Sequence, residues 1–226
     1  EEARARGNVA ELAWPLAMMG YVLLWQGEAA RGKAAMEEAL RVTPEEPYTL
    51  TRLTVELLSL ATFLQEDQPV EGLARLARIR DRWSESRLLT TSMEKATYRV
   101  QRARLHLLAR RSGLDPGCSV RERIELGLLP APSSLRDEAL RLKGATAFQD
   151  GDPRRALLLV HRAVVLAHRR NNRFSLALSL AARATLRARL ELPGAALDRE
   201  RAAEGLRAIG ASRCYLLRVE GWDDPG

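Results

Sequence analysis

Cysteine is scarce: only Cys118 and Cys214 occur in 226 residues. They set neither a disulfide framework nor a metal-ligand spacing, so a reducing, cytoplasmic setting is expected. Lysine is also rare, at Lys33, Lys95 and Lys143, so arginine carries almost all of the basic charge behind the net +7. With Ala and Leu dominant, this bias is ascribed to a GC-rich coding genome more than to a binding role. Long apolar runs are missing. The longest, Leu12 to Trp25, falls short of the roughly 20 residues that span a membrane. No basic start leads into an apolar stretch, so no signal peptide is read. The chain opens at Glu1 and its first methionine is Met18, which suggests a piece of a longer protein. Alternating β-branched runs bounded by turns are absent, which excludes a sheet.

Catalytic signatures are missing as well. There is no G-x-x-x-x-G-K-[ST] loop, no G-x-G-x-x-G, no G-x-S-x-G and no kinase signature. His161 and His168 share a helix face but stand about 10 Å apart along its axis, too far to hold one ion. His106 is remote from both in sequence. Glu45-Glu46 reads as capping charge at a helix start, and Asp223-Asp224 as a tail. Cys118 has no nearby histidine. No enzyme activity, metal or cofactor is expected.

What remains is helix. Apolar residues recur every three to four positions. Breakers divide the chain into helices at 9–25, 28–42, 47–65, 69–84, 91–111, 119–128, 135–149, 153–170, 173–190, 194–209 and 212–219. Asp152-Pro153 offers an N-cap oxygen followed by a residue with helical φ. Thr91/Glu94, Ser119/Glu122 and Ser134/Asp137 have capping-box spacing. Gln26-Gly27-Glu28, Asp150-Gly151-Asp152 and Leu192-Pro193-Gly194 read as tight turns.

Two helix pairs repeat one another. Gly20 precedes Gly32, Met36 and Ala39 by 12, 16 and 19 residues. Gly144 precedes Ala156, Val160 and Ala163 by the same intervals. Small residues at these positions let paired helices cross closely. With Leu16, Leu23 and Pro44 in the first copy and Leu140 and Ala147 in the second, the pattern resembles the tetratricopeptide repeat (TPR). From Gly20 to Gly144 is three units of about 41 residues, longer than the ordinary unit of about 34. Ala61, Ala103 and Ala184 fall at the corresponding small positions of weaker copies.

The long unit is similar to the helical-repeat regions of maltose-operon-activator and LuxR-type (STAND) bacterial transcription regulators. The run Ala203 to Ala211 resembles the ending of such regions. Similar repeats also follow bacterial Ser/Thr kinase domains. The resemblance implies an all-α, right-handed α–α superhelix, a TPR-like solenoid of about five helix pairs in a single domain, 1–226.

Helix 9–25 reads as having two apolar faces. Leu12, Leu16, Met19 and Leu23 are expected to pack on helix 28–42. Trp14, Met18, Tyr21 and Trp25 form a second stripe. Three of the chain's eleven aromatics lie in that stripe. Either it packs against a preceding helix pair, or it lines a groove that stacks ligands or partner side chains. In the same register, Gln101 and Arg104, with Thr97, and Arg141 and Phe148, with Glu138 and Ala145, are further groove candidates. Arginine there suits carboxylate or phosphate. Basic charge concentrates in 87–111 and 151–226, each net +6, and the remainder is net acidic.

The resemblance implies a non-catalytic interaction or sensor domain of a multidomain bacterial signal-transduction or transcription regulator. It would take a partner protein or peptide, or a small-molecule inducer, in the groove and pass that state to neighbouring domains of the same chain. A scaffold beside a Ser/Thr kinase, or one binding a peptide of another protein, is the alternative. A nucleic-acid-contacting repeat stands third, since no base-reading module is present. No membrane partner is expected.

Overall fold

The computed structural model describes residues 9–86, 88–90, 92–114, 135–211 and 214–222. Among them are ten helices and no strand: α1 (Val9–Trp25), α2 (Ala29–Val42), α3 (Leu50–Gln65), α4 (Pro69–Ser86), α5 (Ser92–Arg111), α6 (Arg136–Gln149), α7 (Pro153–Arg169), α8 (Arg173–Arg189), α9 (Ala195–Ala208) and α10 (Tyr215–Glu220). No helix among the described residues is long and apolar enough to cross a membrane. The helix expected at 119–128, Cys118, Thr91, Ser119/Glu122, Ser134 and Asp223-Asp224 lie outside the described residues.

Helix starts follow side-chain chemistry. The Asp152 carboxylate accepts from the Arg155 backbone N–H at 2.9 Å, ahead of Pro153 in the first turn of α7. Thr49 caps α3 by accepting from the Arg52 N–H, so this helix begins three residues later than its predicted start. Asn172 caps α8 in the same way, through the Ser175 N–H. Asp137 lies in the first turn of α6. Its carboxylate is buried and accepts from the side-chain amide of Asn172, at the start of α8, at 3.1 Å.

The tight turns between helices share one design. After α1, Gly27 adopts φ 84°, the Gly27 N–H donates to Leu24 and the Glu28 N–H donates to Leu23. Asp150, Gly151 and Asp152 repeat the pattern after α6. Both are Schellman endings, in which a left-handed residue closes the last carbonyls. Asp67, Asn171 and Glu191 hold φ near the same region without being glycine, at 55°, 53° and 55°. Left-handed backbone costs a residue with a Cβ about 1 kcal/mol. Glu191→Gly is therefore expected to raise stability by about that amount, read as an upward shift of the denaturation midpoint. A lower midpoint would mean that the glutamate side chain offsets its strain.

The chain divides into two compact units, Glu1–Leu105 and His106–Gly226. In unit one, α1 pairs with α2, α3 packs on both, and α4 packs on α3. The α1–α2 crossing is backbone against backbone. A Cβ on Gly20 would lie 2.9 Å from the Gly32 carbonyl oxygen and 3.0 Å from Met36 Cγ. This geometry corrects the expected packing face of α1. Ala13, Ala17 and Leu24 are buried, whereas Met19 is half exposed and Leu12, Leu16 and Leu23 are half buried. At so close a crossing a glycine on each helix faces a large residue of the other, Gly20 against Met36 and Gly32 against Leu24.

In unit two, α6 pairs with α7 by the same device. A Cβ on Gly144 would lie 2.6 Å from Val160 Cγ2 and 3.3 Å from the Ala156 carbonyl oxygen. The intervals of 12 and 16 residues are thus the same physical contacts in both pairs. Helix α8 packs on α6, α7, α9 and α10. Ala61, Ala103 and Ala184 are all buried.

Candidate functional site

The aromatic stripe of α1 runs from exposed to buried. Trp14 is 51% exposed, Met18 is half buried, Tyr21 is buried and Trp25 is half buried. The Tyr21 and Trp25 rings meet with centroids 4.5 Å apart and planes tilted by 57°. Arg104 on α5 reaches across to the same place, its guanidinium donating to the Tyr21 hydroxyl at 3.3 Å. One turn earlier on α5 is Gln101, fully buried, with both amide atoms lacking a hydrogen-bond partner. A buried amide without partners costs folding energy that its neighbours in the chain do not return. Thr97, further along α5, is half buried.

Arg141 and Phe148 belong to unit two and serve a different arrangement. The Arg141 guanidinium is buried and holds Glu220 bidentately, Nε to Oε2 at 2.7 Å and a terminal nitrogen to Oε1 at 3.0 Å. It also donates to Ser175 Oγ at 3.3 Å. Trp222 Nε1 donates to Glu220 at 3.1 Å, and the Trp222 ring stacks on Phe148 at 5.6 Å. Arg141, expected to face a groove, is instead engaged by a carboxylate from the end of the chain. The eight candidates therefore form a cluster of Tyr21, Trp25 and Arg104 in unit one, with Gln101 on the adjoining turn, and a separate α6–α10 clasp in unit two. Trp14 and Met18 continue the stripe along α1.

No protein family, curated protein or solved structure matches this chain. The site is read from its own side chains.

A second polar centre in unit one escaped sequence reading. Glu56 is 1% exposed, and its carboxylate accepts from Arg52 at 3.0 Å, Arg75 at 2.9 Å, Arg82 at 3.4 Å and the Tyr48 hydroxyl at 2.8 Å. Arg52 also donates to the carbonyl oxygens of Leu40 and Thr43. Burial pushes the Tyr48 hydroxyl well above the ordinary phenol range. The hydrogen bond to Glu56 and the charge of Glu56 add to this, against Arg82 and Arg52. Glu45 and Glu46 sit in the loop before α3 and pair with Arg52 and Arg82, rather than at the start of a helix. Only the i,i+4 spacing of Arg52 and Glu56 was visible in sequence. Among the described residues no group of three or more His, Cys, Asp or Glu could hold a metal ion.

Proposed function

We propose that the chain is a non-catalytic receiver module of a multidomain bacterial signalling or transcription regulator. It takes a small-molecule inducer or a partner group against the α1–α5 face of unit one. The observation that carries this reading is Gln101. Its amide lies fully buried without a partner, on the face of α5 whose next turn reaches the Tyr21–Trp25 pair through Arg104. An amide offers a donor and an acceptor together, and an aromatic pair beside it supplies a stacking surface. Such a constellation suits a ligand with a planar or apolar body and a hydrogen-bonding polar group. The bacterial regulator context rests on the resemblance of the two helix pairs to long TPR-like units, which the matching glycine crossings support.

The test separates folding from receiving. Gln101→Leu keeps the volume and removes the unpartnered amide. It is expected to raise stability by about 1–3 kcal/mol, measured by denaturation. The same variant should abolish the change in tryptophan fluorescence produced by a ligand from a series of aliphatic and aromatic carboxylates. A lowered stability would show that the fold itself uses the amide, and the reading would fall.

A further inference from the structure

We propose that unit two carries a separate binding site, between α6 and α7, for a small anionic amphiphile: a phosphate or carboxylate head on a compact apolar body. It is independent of the α1–α5 face.

The site is a cavity of about 360 Å³, within the size range of small-ligand pockets. Three arginines line it: Arg136 from the first turn of α6, and Arg162 and Arg169 from one face of α7. The three are exposed and none holds a carboxylate among the described residues, whereas Arg52, Arg75, Arg141, Arg183 and Arg187 each do. Asp137, next to Arg136 in sequence, is buried and turned to Asn172 and Arg170. The rest of the α7–α8 surface offers no relief, because residues 153–190 contain nine arginines and not one Asp or Glu. Three uncompensated guanidiniums around one concavity raise the local positive potential and draw an anion there.

The floor between the arginines is apolar: Leu140, Val165 and Leu166. A bare inorganic anion would leave that floor wet, whereas an anion with an apolar body covers it. His161 also lines the cavity. Its Nδ1 lies 3.2 Å from a guanidinium nitrogen of Arg183, which can only donate. An imidazole that accepts there at Nδ1 has its N–H on Nε2, a further donor for an anion. The cavity of unit one between α2, α3 and α4, of about 430 Å³, makes a useful contrast. There Lys33 is paired with Glu66 at 2.6 Å and Arg75 with Glu56 at 2.9 Å, which leaves one lining cation, Arg78, without a carboxylate among the described residues.

The experiment is calorimetric titration of the full 226-residue chain with n-octyl phosphate below its micelle-forming concentration. Inorganic phosphate and neutral octyl glucoside serve as companion probes. Octyl phosphate should bind, inorganic phosphate more weakly, and octyl glucoside not at all. Arg162→Gln with Arg169→Gln should weaken octyl phosphate roughly tenfold or more, since charge-assisted contacts to the head are lost. Both positions are exposed, so the fold is expected to persist, and an unchanged melting curve checks this. Arg154→Gln with Arg155→Gln removes the same charge elsewhere on α7 and should change affinity by no more than about twofold. Three results would overturn the proposal. One is the absence of octyl phosphate binding. Another is equal weakening by both double variants, which would mean diffuse surface charge. The last is tight, salt-dependent binding of single-stranded DNA that both variants weaken alike, which would make this face a nucleic-acid surface.

Discussion

Glu56→Gln is expected to lower the stability of unit one by about 3–5 kcal/mol, the usual consequence of removing one partner from a buried ion pair. The carboxylate is the only acid that meets three guanidiniums among the described residues, and Arg52, whose side chain is 5% exposed, cannot turn to solvent when it goes. Arg52 keeps the carbonyls of Leu40 and Thr43 and the exposed carboxylate of Glu45, none of which cancels its charge in the interior. Arg75 and Arg82 are a quarter to a third exposed and contribute less, because water can resolvate them. Denaturant unfolding checks the result. A loss below about 1 kcal/mol would place Arg52 in contact with water and sink the account.

The same centre sets an alkaline response. The Tyr48 hydroxyl is raised in the folded chain, by burial first and then by Glu56. The unfolded chain therefore loses this proton first. Its stabilising contribution is complete below the ordinary phenol value of about 10 and declines as pH rises above it. Phenolate absorbance should show Tyr48 ionising only as the chain unfolds, and Tyr48→Phe should remove its share of that step.

The second large effect concerns the α6–α10 clasp. Arg141→Leu or Glu220→Leu alone should cost about 3–5 kcal/mol, because each leaves a charge buried without its counter-ion. Both side chains are at most 2% exposed, and the pair is bidentate. The double variant Arg141→Leu/Glu220→Leu should recover most of that loss, to within about 1–2 kcal/mol of the parent, since neither desolvated charge remains. Trp222 reports on the event locally. Its ring stacks on Phe148 and its Nε1–H donates to Glu220, so the single variants should also shift its fluorescence toward that of an exposed indole. Additive losses in the double variant would show that the two residues act separately and would refute the clasp.

Both centres show where sequence reading stops. Arg141 and Glu220 are 79 residues apart, and nothing in their local spacing announces the pair. Arg141 was therefore read as facing a groove. Glu56 was passed over because a glutamate on an amphipathic helix is ordinarily solvated; only the convergence of α2, α3 and α4 buries it. Gln101, Arg104, Tyr21 and Trp25 were singled out by register alone. Register read Gln101 and Arg104 as facing a groove, whereas both are fully buried; it could not say that Arg104 reaches Tyr21 or that the Gln101 amide stays unpartnered. The arginine cavity was hidden differently. Charge summed over 151–226 included eight acids and blurred the acid-free stretch that carries α7 and α8.

The sequence by itself determined the helices among the described residues, their tight turns and the two glycine crossings, because these depend on residues within one or two helices of each other. Period, capping oxygen, left-handed glycine and small-residue spacing are all local physics, and each is written in consecutive residues. The tertiary structure alone decided which face of α1 is buried and which arginines are neutralised. The first turned on how closely two backbones approach, with Gly20 and Leu24 of α1 meeting Gly32 of α2, while Leu12, Leu16 and Leu23 are half buried and Met19 is half exposed. The second turned on whether a carboxylate from a distant helix reaches the guanidinium. Desolvation makes that difference large: Arg141 is held in the interior by Glu220, while Arg136, Arg162 and Arg169 remain at the surface around a cavity, free to take an anion.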